Sequence, residues 1–427
     1  MSATLIVNAL RAGTVPPEGL HHFAVGLDPL AEALREQRDY VAGGHSAYKF
    51  LRGPYGSGKT FLASLAAAQA LEEQFVVTRV VVSPADTPLY RLNQIYRRLC
   101  QGLSTSSRRG GGALQAVVDR WLYQVEQTVI EVDCVAEASS AFSEAVARKV
   151  QQQLVGVGEQ AGRLAACLSA YQKAQLEQDF DTARGLLDWI SGEPKVSAAV
   201  KRVAGVTGQL DNTDVLAFLR GLLVLLRACG YRGLVVILDE VETTLRMQRP
   251  ERLKSLEVLR QLVDALDHQD FPGLQLLVTG TPDFFQSQFG VPSLEPLHDR
   301  IRVDFREDQP DNLRQPQLRL KPFDRPRLLE VARKVRALYP ARHRERLDRR
   351  ADDGFLDLLI QRVAAGFGGR ISVMPRLFLR ELVHQLDLVD QHPDYDPAAY
   401  AFRAPGELVL TPDEEVLLGD SARSIEL

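Results

Sequence analysis

The sequence predicts an α/β protein with a parallel central sheet, on three observations. Gly53 to Thr60 read GPYGSGKT and match the pattern G-x-x-x-x-G-K-[ST] at every fixed position. Leu234 to Leu238 is apolar throughout, as in a central strand covered by helices on both faces, and Asp239 and Glu240 follow at its carboxyl end. Around these motifs, β-branched and aromatic runs alternate with Ala- and Leu-rich helical segments, the order a parallel sheet requires. The loop and the acidic pair together predict a P-loop fold that handles a nucleoside triphosphate.

Each element follows from its residues. Ala47 to Arg52 (AYKFLR) favours an extended chain through Tyr48, Phe50 and Leu51, and leads into the loop. Gly53, Gly56 and Gly58 let the backbone turn tightly and aim its N–H groups at phosphate oxygens, with Pro54, Tyr55 and Ser57 completing the cradle. Lys59 supplies a charge for the β- and γ-phosphates, and Thr60 a hydroxyl for Mg²⁺. Phe61 to Leu71 reads as a helix, which puts Lys59 and Thr60 at a helix N-terminus, where the dipole favours phosphate. Further strands are expected at Phe75 to Val82, Leu274 to Val278 and Gln317 to Leu320, and further helices at Arg325 to Leu338, Gly354 to Ala364 and Met374 to Leu388. At the end of the apolar strand, Asp239 suits the Mg²⁺ shell, and Glu240 suits orienting the attacking water and accepting its proton.

This order of motifs resembles the AAA+ ATPases. The resemblance implies that Thr279, with Thr281 as the alternative, touches the γ-phosphate or the attacking water, and that Arg300 or Arg302 reaches into a neighbouring subunit's site. It implies that Arg376, in Met374-Pro375-Arg376-Leu377, is a lid arginine on the γ-phosphate, and that Val25 and Gly26 lie against adenine. Phe23 and Val25 equally suit core positions at a helix start. More narrowly, GTVPPEGLHHFAVGLD, FLRGPYGSGKTFLASL, VVVSPADTPLYRLNQIYRRL and PRLFLRELVHQLDLVDQHPDYD resemble the BrxD-type ATP-binding proteins of bacterial BREX phage-exclusion systems, close to the origin-recognition and replication-initiator branch of AAA+. That resemblance implies ATP and Mg²⁺ as cofactors and ATP hydrolysis as the activity. It also implies other BREX-type defence proteins and DNA as partners and a homo-oligomer; from composition no membrane partner is expected, and the cysteine usage fits a reducing cytoplasm. Between Ser104 and Asp211 no family motif is legible, and no winged helix is expected from the residues after the lid.

Composition sets the remaining limits. The 427 residues carry 51 Lys and Arg against 55 Asp and Glu, a formal net charge of −4, so nothing draws the whole chain toward nucleic acid. Between Arg300 and Arg350 basic residues outnumber acidic ones two to one, and Arg342-His343-Arg344-Glu345-Arg346 with Arg349-Arg350 either faces phosphates or forms a solvated helix face. The four cysteines are far apart and form no C-x-x-C pair, which predicts neither a zinc site nor a disulfide framework. No basic stretch leads into an apolar run at the N-terminus, so no secretory signal is expected. Arg220, Arg227 and Arg232 interrupt the apolar stretch Val215 to Leu238, which argues against a membrane span. Ser104 to Gly112 (STSSRRGGG) reads as a mobile loop or linker. The expected domains are the first part of the AAA+ core with the phosphate loop (1–104), an α-helical insertion (105–210), the second part of the core with the acidic pair (211–321), a small helical lid (322–395) and a tail (396–427).

Overall fold

The computed structural model describes residues 3–136, 141–154, 161–365 and 375–400. The predicted tail from 401 onward and Met374, at the head of the last predicted helix, lie outside the described residues.

The chain opens with α1 (Ala3–Arg11), α2 (Asp28–Ala42), β1 (Ala47–Arg52), α3 (Lys59–Glu72), β2 (Val76–Val81) and α4 (Leu92–Gly102). A helical stretch follows: α5 (Leu114–Glu131), α6 (Phe142–Gln153), α7 (Ala161–Leu176), α8 (Phe180–Ile190), α9 (Ala198–Val203) and α10 (Asn212–Ala228). Next come β3 (Leu234–Asp239), α11 (Arg249–Asp267), β4 (Leu274–Gly280), α12 (Pro282–Gln286), α13 (Glu295–Ile301) and β5 (Gln317–Arg319). The last elements are α14 (Arg325–Leu338), α15 (Arg344–Arg350), α16 (Asp353–Ala365) and α17 (Pro375–Gln391). The strands form a five-stranded sheet in the order β2-β3-β4-β1-β5. β3 pairs in parallel with β2 and β4, Leu234 standing opposite both Val76 and Leu274. The chain divides into two compact units, one of Met1–Glu32, Leu51–Ala68 and Leu318–Leu427, the other of Ala33–Phe50 and Gln69–Gln317.

In the larger unit β3 is buried along its whole length, as its unbroken apolar run requires. Gly233, just before it, could carry no side chain, because a Cβ there would stand 2.4 Å from the Gly273 carbonyl oxygen. α10 starts on a capping box in which the Asp211 carboxylate accepts from the Asp214 backbone N–H and Asp214 answers to the Asp211 N–H. Arg163 of α7 pairs with Asp214 at 2.6 Å and lies over the Trp189 ring, fastening the helical stretch to the helix that feeds β3. Trp121 and Trp189 are fully buried there, with their indole N–H groups satisfied by Gln153 Oε1 (2.9 Å) and the Gly208 carbonyl (3.3 Å). The Gly-rich segment read as a mobile loop is tied down at its start. Ser104 exchanges backbone hydrogen bonds of 2.8 and 3.0 Å with Val77, covering part of the β2 edge, a tertiary pairing that loop composition does not encode.

In the smaller unit α1 packs on α17, burying Ile6, Val7 and Leu10, and Arg11 pairs with Asp387 at 2.8 Å. α15 was not anticipated; its arginines explain the basic run. Arg344 pairs with Asp348 and donates to the carbonyls of Arg336 and Tyr339 at the end of α14, while Arg346 donates to those of Val389 and Asp390 near the end of α17. Arg350 and Arg362 donate to carbonyls of Tyr395, Ala398 and Tyr400. Helix ends leave four carbonyls each without intrahelical partners, and here guanidinium groups satisfy several of them.

Candidate nucleotide site

The phosphate loop belongs to the smaller unit. α3 begins at Lys59, so the loop delivers its last residues directly into a helix N-terminus. Gly56 and Gly58 have φ of 75° and 90°, a left-handed backbone that favours glycine. Gly53 is required for space: a Cβ there would meet Ser57 Oγ at 2.3 Å and the Leu320 carbonyl oxygen at 3.1 Å. Lys59 is 8% exposed, and its ammonium donates to the carbonyls of Gly53 (2.9 Å) and Pro54 (3.2 Å) and lies 5.1 Å from the centre of the Tyr55 ring. Ser57 is 2% exposed, and its hydroxyl has no hydrogen-bond partner among the described residues, a buried polar group in a loop shaped for anions. Thr60 is half-buried in the first turn of α3.

The same unit holds the residues expected near the base. Gly26 has φ of 67°, and a Cβ on it would come within 3.4 Å of Arg327 Nε. Val25 is buried, as is Phe23, whose ring meets Phe61 edge-on at 5.2 Å. Lys334 donates to the Ala24 carbonyl at 2.7 Å. Phe323 reaches within 3.7 Å of the position a Gly58 Cβ would take. Arg376, exposed in the first turn of α17, donates to the Gly13 carbonyl. Phe323, Arg327 and Lys334 escaped the sequence reading, because a helix starting at Arg325 does not say which of its residues turn toward residues 24–26.

The acidic pair belongs to the larger unit. Asp239 ends β3 with its side chain 1% exposed; its carboxylate accepts from Arg79 of β2 on one oxygen and from the Thr279 hydroxyl on the other. The same Thr279 oxygen accepts the Glu240 backbone N–H at 3.0 Å, so one buried hydroxyl spans both members of the pair. Glu240 is left-handed (φ 62°, ψ 42°), a conformation that costs a non-glycine residue about 1–2 kcal/mol. The Thr279 bond and the bond from Thr243 Oγ1 to the Glu240 carbonyl, at 2.9 Å, hold that turn in place. Thr281 is buried and stands at the N-cap of α12. Arg300 is engaged within its own chain, with Asp264 and with the Pro296 carbonyl at 3.2 Å, whereas Arg302 follows the end of α13 with its side chain exposed. Arg79 was missed; the signal was a lone charge inside the apolar run FVVTRVVV.

Among the described residues no three or more His, Cys, Asp or Glu side chains converge as a metal site of their own. Burial pushes the Cys100 and Cys167 thiols up to about 12, which disfavours their thiolate forms. No described helix is long and apolar enough to cross a membrane.

Residues 1–403 match the family described as BREX system ATP-binding protein BrxC/D. The chain belongs to that family. BrxC/D membership agrees with the loop geometry in making this an ATP-binding protein of a BREX system. No curated protein matches the sequence. Among solved structures the chain is similar to the Aeropyrum pernix ORC2 protein in its ADPNP–ADP complexes, at 13% identity over 85% of this chain and 68% of that one, with a TM-score of 0.32.

Proposed function

We propose that this BrxC/D protein is a Mg²⁺-dependent AAA+ ATPase that couples ATP hydrolysis to conformational or assembly changes in a BREX phage-defence complex acting on DNA in the cytoplasm. The observation that carries the reading is the phosphate loop, with two left-handed glycines, a third whose Cβ position is filled, and a lysine at the head of α3, in a chain whose family is described as ATP-binding. The donor set fits Mg²⁺, since the Thr60 hydroxyl and the Asp239 carboxylate are hard oxygen ligands of the kind that ion takes. When bound, the metal supplies charge neutralisation on the β- and γ-phosphates. Lys59 holds phosphate charge, the loop N–H groups orient the oxygens, and Glu240 positions water and takes its proton. Thr279 keeps Asp239 and the Glu240 backbone in fixed relation. Val25 and Gly26 contact adenine, Arg376 reports on the γ-phosphate, and Arg302 or Arg300 acts across a subunit boundary. On this reading residues 105–210 are an α-helical insertion, and 322–395 are a lid.

The DNA component rests on the family resemblance. The arginine-rich stretch adds little to it, because Arg344, Arg346 and Arg350 are spent on backbone carbonyls. Steady-state hydrolysis by wild type and Glu240→Gln, with and without DNA, tests the whole proposal. Turnover that DNA accelerates and Glu240→Gln abolishes is the expected result; equal turnover in the two proteins removes the role given to Glu240.

A further inference from the structure

The Asp239 carboxylate is almost completely withdrawn from water, and a buried carboxylate left without a partner costs several kcal/mol. In the structure Thr279 serves Oδ1 and Arg79 serves Oδ2. Arg79 and Thr279 differ in what they can do next. Thr279 is fully buried on β4 and also bonded to the Glu240 N–H, so it has nowhere to go. Arg79 comes from the opposite side, on β2 at the end of the strand order, with 36% of its side chain exposed. A long side chain placed there can withdraw its charged head into water at little cost. Mg²⁺ held by Asp239 would draw on a carboxylate oxygen, and a guanidinium on the same carboxylate would then face it as a like charge.

We propose that Arg79 is a resident counter-ion that competes with Mg²⁺ for Asp239, so that the carboxylate passes from the guanidinium to the metal as nucleotide·Mg²⁺ binds while Thr279 holds it in place. Arg79 is thus a positioning residue that sets the Mg²⁺ requirement of the site. The inference rests on the reading of Asp239 as a metal ligand.

The test is the Mg²⁺ dependence of binding of a fluorescent ATP analogue by the full chain, for wild type, Arg79→Lys, Arg79→Gln and Asp239→Asn, with thermal melts to confirm folding. The half-saturating Mg²⁺ concentration falls in the order wild type, Arg79→Lys, Arg79→Gln, by about threefold or more at the end of the series, a change of the size expected when one partly exposed ion pair is removed. In an Asp239→Asn background the Arg79 substitutions have no further effect. Should Arg79→Gln fail to fold, Arg79→Lys still shows a lower requirement than wild type, because a point-like ammonium holds the carboxylate less well. Folded variants with an equal or higher Mg²⁺ requirement overturn this inference alone. Absence of Mg²⁺-dependent binding in wild type overturns the nucleotide-site reading, and the inference falls with it.

Discussion

The phosphate loop and the acidic pair are built by opposite means. The loop is local: its three glycines, its lysine and the carbonyls that lysine meets all lie within eight consecutive residues, and the conformation follows from which of them lack a Cβ. The acidic pair is assembled at long range. Asp239 is held by Arg79, 160 residues earlier, and by Thr279, 40 residues later, and the Glu240 turn depends on that same threonine. A local device tolerates change elsewhere in the protein, whereas a long-range one makes the pair sensitive to any shift between β2, β3 and β4. On the proposed function the difference also divides labour, with ground-state binding assigned to the loop and turnover to the acidic pair.

The largest expected effect tests that division. Glu240→Gln lowers turnover by about 10²- to 10⁴-fold, the range for removing a general base, and leaves ATP affinity within about threefold of wild type. Loss of affinity on the same scale as loss of turnover, measured by equilibrium binding beside steady-state rates, would break the comparison. Lys59→Ala does the reverse. It removes a charge-assisted contact and weakens ATP binding by about ten- to a hundredfold, with little change in thermal stability. Thr279→Val keeps the shape but removes the hydrogen bonds that the hydroxyl makes with Asp239 Oδ1 and the Glu240 N–H, and denaturant unfolding shows a loss of about 1–3 kcal/mol while ATP affinity holds. Unchanged stability would mean that the pair is not organised through that hydroxyl.

The smallest effect concerns β1, the strand that leads into the loop. Lys49 is buried, with its ammonium on the carbonyls of Leu313 and Gln315, and burial lowers it from its ordinary 10.5 to about 8. A folded-state value below the unfolded one means that the unfolded chain binds more protons between about 8 and 10.5, so folding stability rises with pH across that window. Stability measured from pH 8 to 10.5 gains less in Lys49→Met than in wild type. Parallel profiles would show that the lysine is not desolvated.

Much of the fold was legible because its signals are local. β1 and α14 fall at the predicted bounds, and β2, β3, β4 and β5 fall within a few residues of theirs, since apolar runs and turn residues mark them directly. α15 was missed because its sequence, RERLDRR, has one apolar residue to carry a period; the helix is held by arginines reaching the ends of α14 and α17. Charge counting could not separate a phosphate-binding face from carbonyl-capping arginines, since both read as the same letters.

The sequence alone determined that this chain carries a phosphate loop at the head of a helix and a carboxylate pair at the end of a buried strand, because glycine geometry and apolar runs act over a few residues. Only the tertiary structure decided that Arg79 and Thr279 grip Asp239 and that Arg327 lies over Gly26. It alone decided, too, that the basic run serves helix ends. Those contacts join residues tens to hundreds of positions apart, and their partners are chosen by strand register and helix packing, which no short window of sequence contains.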